Sequence, residues 1–302
     1  MNLVNFELFC TVAQVKSITK AAKLLHMTQP AVSTQIANLE NVYGIKLFER
    51  SKQGVTLTEV GEVVFDFAQR MLDLHDTMER KIDSVLDSNV QELVVGASSS
   101  LGNYAVPCSI WSFKEKYPKA KISLIVANTE EIVKKVRNDS VDVGLIEGPL
   151  KEDSDLVANE ISNDELVAVV PGNDRWLHKT YLTIEDFKKE PFISREEGSG
   201  VRKVLEASIE KLGLKLTDFN VVSEMGSVDA IKSSIENGLG ISICCRLTVQ
   251  KEVRRGSLKA IPIENLSMPI TYRLLFRKTK FRATIAKRFI RFMVQPDLRS
   301  FC

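Results

Sequence analysis

The sequence predicts a small N-terminal helical domain with a winged helix-turn-helix, a long linker helix, and a larger C-terminal α/β domain. Apolar residues recur at helical spacing in a compact segment, residues 17–61. A narrow apolar stripe then continues over residues 60–85 at intervals close to a heptad. From residue 91 onward, short apolar runs alternate with helical stretches, a pattern typical of largely parallel sheets. We expect the three regions to span residues 1–58, 59–89 and 90–302.

Two short helices fit the first segment. Ser17 is a suitable N-cap for the first, and Thr28 for the second, which is predicted to end at Gly44. Proline is tolerated in the first turn of a helix, where Pro30 stands. One face of the second helix is apolar and is predicted to pack into the core: Val32, Ile36, Leu39 and Tyr43. The opposite face carries small or hydrogen-bonding side chains, which suit the major groove of DNA.

Two segments with strand character follow, residues 47–50 and 55–58, around a tip of Lys52, Gln53 and Gly54. They predict a β-hairpin wing beside the second helix. Arg50 and Lys52 would stand on this wing, where contacts with phosphates fix the orientation of a protein on a duplex.

These segments resemble the N-terminal domain of LysR-type transcriptional regulators. The resemblance rests on Ser17-Ile-Thr-Lys-Ala-Ala22, Thr28-Gln-Pro-Ala-Val-Ser-Thr-Gln-Ile36, Leu39-Glu40, Gly44-Ile-Lys-Leu-Phe-Glu-Arg50 and Leu57-Thr-Glu-Val-Gly61, in that order. It implies sequence-specific binding to double-stranded promoter DNA. Together the pattern and the resemblance assign to DNA contact Thr28, Gln29, Pro30, Ser33, Thr34, Gln35, Arg50 and Lys52. The alternative is a helix-turn-helix used only for packing or protein contact.

The stripe after the wing predicts one long helix, for which Thr58 is a suitable N-cap. Its apolar members are Val60, Val64, Phe67, Met71, Leu74, Met78, Ile82 and Val85. The stripe is too narrow for a helix buried on all sides, so a partner helix is its natural cover. We therefore expect self-association as a homodimer, with a homotetramer as the next assembly. Packing against the chain's own core is the alternative.

The order of strands and helices after residue 90 resembles the effector domain of LysR-type regulators, which is similar to a periplasmic solute-binding fold of two lobes. The resemblance implies one lobe of roughly residues 91–162 and 267–302 and another of roughly residues 163–266. Three turns rich in serine and glycine, at residues 97–102, 194–202 and 225–230, can present backbone N–H groups at helix N-termini. We expect them to border a cleft for a small anion, although any one of them can be only a helix cap.

Family resemblance also implies which side chains lie near the cleft: Ser98, Ser99, Ser100, Thr129, Glu147, Ser199 and Ser227. Glu147 is discordant among them, because a carboxylate disfavours an anionic ligand unless a cation such as Arg195 or Arg202 pairs with it. We expect the ligand to close the cleft and to change how dimers assemble on DNA.

Other function classes find little support in the sequence. It contains no nucleophile elbow, phosphate-binding loop or zinc-protease motif, and its histidines are few and widely spaced. We therefore expect no enzymatic activity, no cofactor and no metal site. No secretory signal or membrane span is recognised, so we expect a cytoplasmic protein. The alternative function is a solute-binding or metabolite-buffering protein without specific operator recognition. The sequence leaves open whether the adjacent Cys244 and Cys245 have a redox role.

Overall fold

The computed structural model describes residues 3–25, 27–51, 54–85, 91–151, 153–278 and 284–294. Its internal contacts divide the chain into two units, an N-terminal one up to Val90 and a second one from Gln91 to Met293. Within the described ranges, none of the helices combines the length and the apolar character that crossing a bilayer requires.

The N-terminal unit contains four helices and a two-stranded hairpin in its described part. These are α1 (Leu3–Val15), α2 (Ile18–Leu24), α3 (Gln29–Tyr43), β1 (Phe48–Ser51), β2 (Gly54–Leu57) and α4 (Glu59–Val85). The core lies between the first three helices and the hairpin, where Phe9, Val32 and Leu47 are fully buried. The predicted winged helix-turn-helix is thereby confirmed.

The predicted ends of α3 are confirmed. The Thr28 side chain accepts a hydrogen bond from the Ala31 N–H at 3.3 Å, and Gly44 adopts a left-handed conformation with φ of 69°. Along the helix, Val32, Ile36 and Leu39 are buried as predicted. The prediction was wrong for Tyr43, which is 39% exposed because α3 extends past the edge of the core in its last turn.

Helix α4 starts against the wing. Thr58 is its N-cap, as predicted: its Oγ1 accepts a hydrogen bond from the Gly61 N–H at 2.9 Å and donates one to the Lys46 carbonyl at 2.9 Å. A Cβ atom on Gly61 would lie 2.1 Å from the Leu47 carbonyl oxygen, so only glycine permits this approach. One side of the first turns packs on the domain core through Val64, Phe65, Ala68 and Leu72.

The second unit alternates strands and helices. Its strands are β3 (Gln91–Ser98), β4 (Ala120–Ala127), β5 (Val143–Glu147), β6 (Leu156–Pro171), β7 (Phe192–Arg195), β8 (Val221–Met225), β9 (Ser242–Cys245), β10 (Leu258–Ile261) and β11 (Pro269–Arg277). Its α-helices are α5 (Ser99–Tyr104), α6 (Val106–Lys116), α7 (Thr129–Arg137), α8 (Asp174–Leu177), α9 (Ile184–Lys189), α10 (Gly200–Glu210), α11 (Val228–Glu236), α12 (Gln250–Arg255) and α13 (Thr284–Val294).

Strand β6 runs through two parts of this unit. It pairs with β11 up to Glu165, then with β9 from Leu166 and with β10 from Ala168. We call the part with β3, β4, β5 and β11 lobe I, and the part with β7, β8, β9 and β10 lobe II. Strand β3 is parallel to β4 and β5, and β7 is parallel to β8. The expectation of largely parallel sheets was wrong for β6, β9, β10 and β11. Strands β9, β10 and β11 each run in the direction opposite to β6 and therefore pair with it antiparallel, and β11 also pairs antiparallel with β5.

Candidate DNA-binding surface and ligand cleft

The outward face of α3 is polar and accessible. Thr28, Gln29, Pro30 and Thr34 are exposed. Ser33 and Gln35 are half-buried. The Gln29 side chain is held by the Thr19 hydroxyl, which donates to its Oε1 at 3.2 Å and so connects the start of α3 to α2. Apart from Pro30, the α3 residues named here carry hydroxyl or amide groups, which suit contact with base edges.

The wing carries the remaining DNA-contact predictions. The backbone of Arg50 lies in β1 opposite Val55, in a hairpin whose register runs from Phe48 with Leu57 to Ser51 with Gly54. The Arg50 side chain and the whole of Lys52 lie outside the described residues. The hairpin itself is fixed beside α1, because the Val55 N–H donates to the Lys16 carbonyl at 3.1 Å.

Glu40 has a structural role that the sequence did not reveal. Its buried carboxylate accepts hydrogen bonds from the backbone N–H groups of Leu47 at 2.9 Å and Phe48 at 3.3 Å, and from the Lys46 ammonium at 2.7 Å. Burial alone raises the pKa of Glu40, but Lys46 and the two N–H donors outweigh burial and hold it below its usual value. Glu40 therefore fixes the wing to the last turns of α3.

In the second unit, the predicted cleft residues stand at neighbouring strand ends. Ser98, Ser99 and Ser100 lie where β3 passes into α5, Thr129 starts α7, and Glu147 ends β5. Ser199 and Ser227 precede α10 and α11 in lobe II. All of these residues except Ser227 are buried.

The serines at the helix starts differ in what their hydroxyls do. The Ser227 hydroxyl accepts a hydrogen bond from the Ala230 N–H at 3.2 Å and caps α11. The hydroxyls of Ser98 and Ser199 make no capping bond, although both residues occupy N-cap positions. Both oxygens are buried and make no hydrogen bond of standard geometry in the described part of the chain, although the Ser98 hydroxyl lies near enough to the Glu147 carboxyl group to lower its pKa. Buried polar atoms are almost always paired in folded proteins, so these two hydroxyls are expected to have a partner from outside the chain.

Glu147 is the acidic centre of the cleft. Its Oε1 accepts a hydrogen bond from the Ser100 hydroxyl at 2.9 Å, and its carbonyl oxygen accepts one from the Thr129 hydroxyl at 3.1 Å. Burial raises the pKa of Glu147, and the nearby charge of Arg195 and the Ser100 hydroxyl offset only part of that rise. Of the two cations considered as its partner, Arg202 instead pairs with Glu206 at 2.9 Å and Glu224 at 2.5 Å.

Arg195 also belongs to the cleft, although the sequence indicated it only as a possible cation beside Glu147. It ends β7, and its side chain is 4% exposed. Its Nε and one terminal nitrogen donate to the two carboxylate oxygens of Glu196 at 2.8 and 3.0 Å. Burial lowers the pKa of Arg195, but Glu196 and Glu147 outweigh burial and raise it. Arg195 thus supplies a permanent positive charge at the cleft.

The lobes are in close contact at this point. A Cβ atom on Gly200 would lie 1.9 Å from the Glu147 carbonyl oxygen, and one on Gly148 would lie 2.7 Å from the Gly200 carbonyl oxygen. The Tyr104 hydroxyl of lobe I donates to Asp229 of lobe II at 2.5 Å. The gap lined by Ser100, Arg195 and their neighbours is too narrow for a water molecule. This arrangement is a closed cleft.

Cys244 and Cys245 are both buried, and as adjacent strand residues they face different hydrophobic clusters. Burial raises the pKa of the Cys244 thiol to about 11, and it raises the pKa of Cys245 well above its usual value. Thiols in this environment are poor nucleophiles at neutral pH, so the geometry gives no support to a redox role.

A helix-turn-helix with a wing, followed by a two-lobed α/β domain with a polar cleft, defines a ligand-responsive DNA-binding regulator. Comparison with protein families agrees. Residues 3–62 match the bacterial regulatory helix-turn-helix domain of the lysR family, and residues 87–296 match the LysR substrate-binding domain. The chain belongs to the family of LysR-type transcriptional regulators, which are not enzymes.

The chain is similar over most of its length to known members of this family. It is 30% identical over 277 residues to a probable RuBisCO transcriptional regulator of Trichormus variabilis, covering 90% of this chain and 82% of that protein. The CcmR regulatory domain of Synechocystis, solved in complex with 2-PG, is 25% identical, with a TM-score of 0.61 over 68% of this chain and 96% of that one. Full-length CbnR, at 21% identity, has the same fold, with a TM-score of 0.56 over 97% of this chain and 100% of that one.

Proposed function

We propose that this regulator binds promoter DNA as a homo-oligomer and responds to a small anion held between lobes I and II. The main observation in favour of an anionic effector is that the buried hydroxyls of Ser98 and Ser199 make no hydrogen bond of standard geometry in the described part of the chain. The Arg195 guanidinium adds a buried positive charge that acts on Glu147 in the same cleft. Hydroxyl donors without a protein acceptor, in a cleft that also holds a positive charge, are suited to an oxyanion.

The comparisons support the same class of effector. The CcmR regulatory domain binds 2-PG, 2-phosphoglycolate, which is an anion. In our proposal the effector site comprises Ser98, Ser99, Ser100, Thr129, Glu147, Ser199 and Ser227. Ser98 and Ser199 contact the ligand through their hydroxyls, whereas Ser227 borders the site through the start of the helix that it caps.

For DNA, we propose that α3 enters the major groove and that the wing contacts phosphates. The exposed residues Thr28, Gln29, Pro30 and Thr34 contact DNA first, with Ser33 and Gln35 beside them. Arg50 and Lys52 then position the domain along the backbone. Because the target is DNA, we expect the protein to act in the cytoplasm.

The assembly that we propose is a dimer joined through α4, which pairs further into a tetramer. Along α4, the side chains of Phe67, Leu74 and Met78 are 57%, 68% and 49% exposed, and they follow the heptad-like spacing of the stripe. A second copy of the helix would cover this stripe, and two-fold symmetry would match a palindromic site on DNA. Effector binding that favours one arrangement of the subunits would then shift the DNA contacts.

Calorimetry with 2-phosphoglycolate and a matched pair of serine variants tests the effector site. Ser199→Ala should weaken binding by about tenfold or more, because it removes a hydrogen bond to a charged group. It should leave the stability unchanged, since that hydroxyl has no protein partner. Ser227→Ala should instead lose about 1 kcal/mol of stability, because it removes a helix cap, and should weaken binding less. Equal binding by wild type and Ser199→Ala would contradict the proposed site.

A further inference from the structure

Glu147 has an unusual position for an acidic residue in an anion site. It is 1% exposed, and its Oε2 has no hydrogen-bond partner in the described part of the chain. Among the same residues, no lysine, arginine or histidine nitrogen lies within the 4.0 Å ion-pair distance of its carboxyl group. An ionised carboxylate in this place would be a buried charge without a direct counterion, which is unfavourable.

The titratable and polar groups around Glu147 do not satisfy Oε2 either. On α5, the Ser100 hydroxyl bonds to Oε1. The Ser98 hydroxyl, at the end of β3, is near enough to lower the pKa of Glu147 but makes no hydrogen bond of standard geometry with Oε2. On β11, Tyr272 lies directly opposite Glu147, but its hydroxyl donates to Asp164 at 2.6 Å.

From lobe II, the surrounding groups are similarly engaged or uncharged. Arg195 on β7 directs its Nε and a terminal nitrogen to Glu196. On β9, the Cys245 thiol donates weakly to the Ser100 oxygen at 3.8 Å and is neutral, because burial raises its pKa. The charge of Arg195 and the hydroxyls of Ser100 and Ser98 favour ionisation of Glu147, but burial outweighs them and raises its pKa. The surroundings therefore favour the neutral acid.

We propose that Glu147 recognises the effector as a hydrogen-bond donor, with its proton on Oε2, and so selects a ligand that presents a carboxylate or phosphate oxygen. This inference rests on the proposed effector site. The unpartnered Ser98 and Ser199 hydroxyls lie on segments that contact Glu147, since Ser98 adjoins the Ser99–Ser100 turn and Ser199 precedes Gly200. In this proposal, the Ser98 and Ser199 hydroxyls and the protonated Glu147 carboxyl group all donate hydrogen bonds to the same anionic group of the effector. No covalent bond forms, and the proton stays on Glu147.

A consequence is that binding is linked to pH. Where the free protein has partly lost the Glu147 proton, binding of the anion takes one proton up from the solvent. Above the pKa of Glu147, the affinity therefore falls with rising pH by up to about tenfold per pH unit. An ionised Glu147 would behave in the opposite way: it would repel anions and favour a ligand with an ammonium or hydroxyl group.

Isothermal titration calorimetry of the full-length protein with 2-phosphoglycolate, over about pH 6 to 8.5 in buffers of different ionisation enthalpy, tests this assignment. Glu147→Gln keeps a donor at this position but cannot titrate. Glu92→Gln is the matched control, because Glu92 lies on β3 and is exposed beside Lys121. The ligand's own phosphate ionisation, with a pKa of about 6, affects all three proteins alike.

We expect wild type and Glu92→Gln to take up a proton and to bind more weakly once the pH rises through the pKa of Glu147, whereas Glu147→Gln keeps its affinity without that proton uptake. Release of a proton by wild type on binding, absent from Glu147→Gln, would overturn the assignment while leaving the effector site itself supported. Binding that is tenfold tighter in Glu147→Gln at every pH would also overturn it, because it would reveal an ionised, repelling carboxylate.

A measurement without ligand tests the protonation of Glu147 separately from the proposed effector site, in case 2-phosphoglycolate does not bind at any pH. The infrared spectrum of wild type minus that of Glu147→Gln, at neutral pH, should contain the carbonyl band of one protonated carboxyl group. Its presence would support the neutral acid even though the effector is a different compound. A carboxylate band in its place would overturn the inference.

Discussion

Replacing Gly200 with alanine tests whether the effector response depends on close contact between lobes I and II. A Cβ atom at this position would lie 1.9 Å from the Glu147 carbonyl oxygen and 2.8 Å from the Thr129 hydroxyl oxygen. Since ordinary contact begins at 3.4 Å, the start of α10 would have to move away from β5 by about 1.5 Å. The neighbouring atom is backbone, so it cannot rotate aside.

The expected cost follows from this displacement. Forcing an extra carbon into a packed site costs about 1–3 kcal/mol. If the effector binds only when the lobes are in contact, the substitution should weaken the affinity for the effector by about 5- to 150-fold. DNA binding without effector should be retained, because Gly200 lies in the second unit and α3 in the first.

Calorimetry with 2-phosphoglycolate and gel shifts without it measure the two effects separately. Gly226→Ala is the matched control, because it also adds one carbon at a strand-to-helix turn of lobe II, but its nearest neighbour would be Glu196 Cδ at an ordinary 3.6 Å. Circular dichroism and thermal unfolding check that both variants fold. Wild-type affinity in a folded Gly200→Ala variant would refute the role of lobe contact.

Further predictions concern DNA binding, the wing and assembly. Ser33→Ala should relax site preference, whereas Arg50→Ala should weaken binding to all sequences and reduce the salt slope by about one, as measured by anisotropy across salt concentrations; equal effects on specificity would contradict the assigned roles. Because the folded pKa of Glu40 is lowered, its stabilisation is present at neutral pH and lost as the pH falls through that pKa. Glu40→Gln should therefore cost about 1 kcal/mol near pH 7, with the difference vanishing in acid; a pH-independent difference in urea unfolding would contradict this. Leu74→Glu should dissociate the dimer in sedimentation velocity without unfolding it, and an unchanged sedimentation coefficient would count against pairing through α4.

Local chemistry made the N-terminal unit predictable from sequence. Thr28 and Gly44 act within a few residues of their own position, so the bounds of α3 follow from capping and left-handed geometry alone. Tyr43 was misplaced because periodicity gives the direction of a side chain but not where the core ends. The role of Glu40 was not predictable, because its N–H partners are seven and eight residues away, across a turn.

In the second unit, the sequence located the serine-rich turns but not what each hydroxyl does. Ser98, Ser199 and Ser227 all occupy N-cap positions, yet only Ser227 makes a capping bond. The difference accompanies burial by the tertiary fold: Ser98 and Ser199 are buried, whereas Ser227 is exposed. Likewise, Glu147 and Arg195 are far apart in sequence, so their electrostatic coupling depends on lobe contact.

The most direct test of ligand-responsive DNA binding is a footprint of the purified protein on the DNA upstream of its own gene. It should be recorded with and without 2-phosphoglycolate, sulfate, sulfite and carboxylic acids. We predict a protected interrupted palindrome whose extent shortens or shifts with one of these anions. Protection without sequence preference, unchanged by every compound, would contradict this function and favour a protein that only binds solutes.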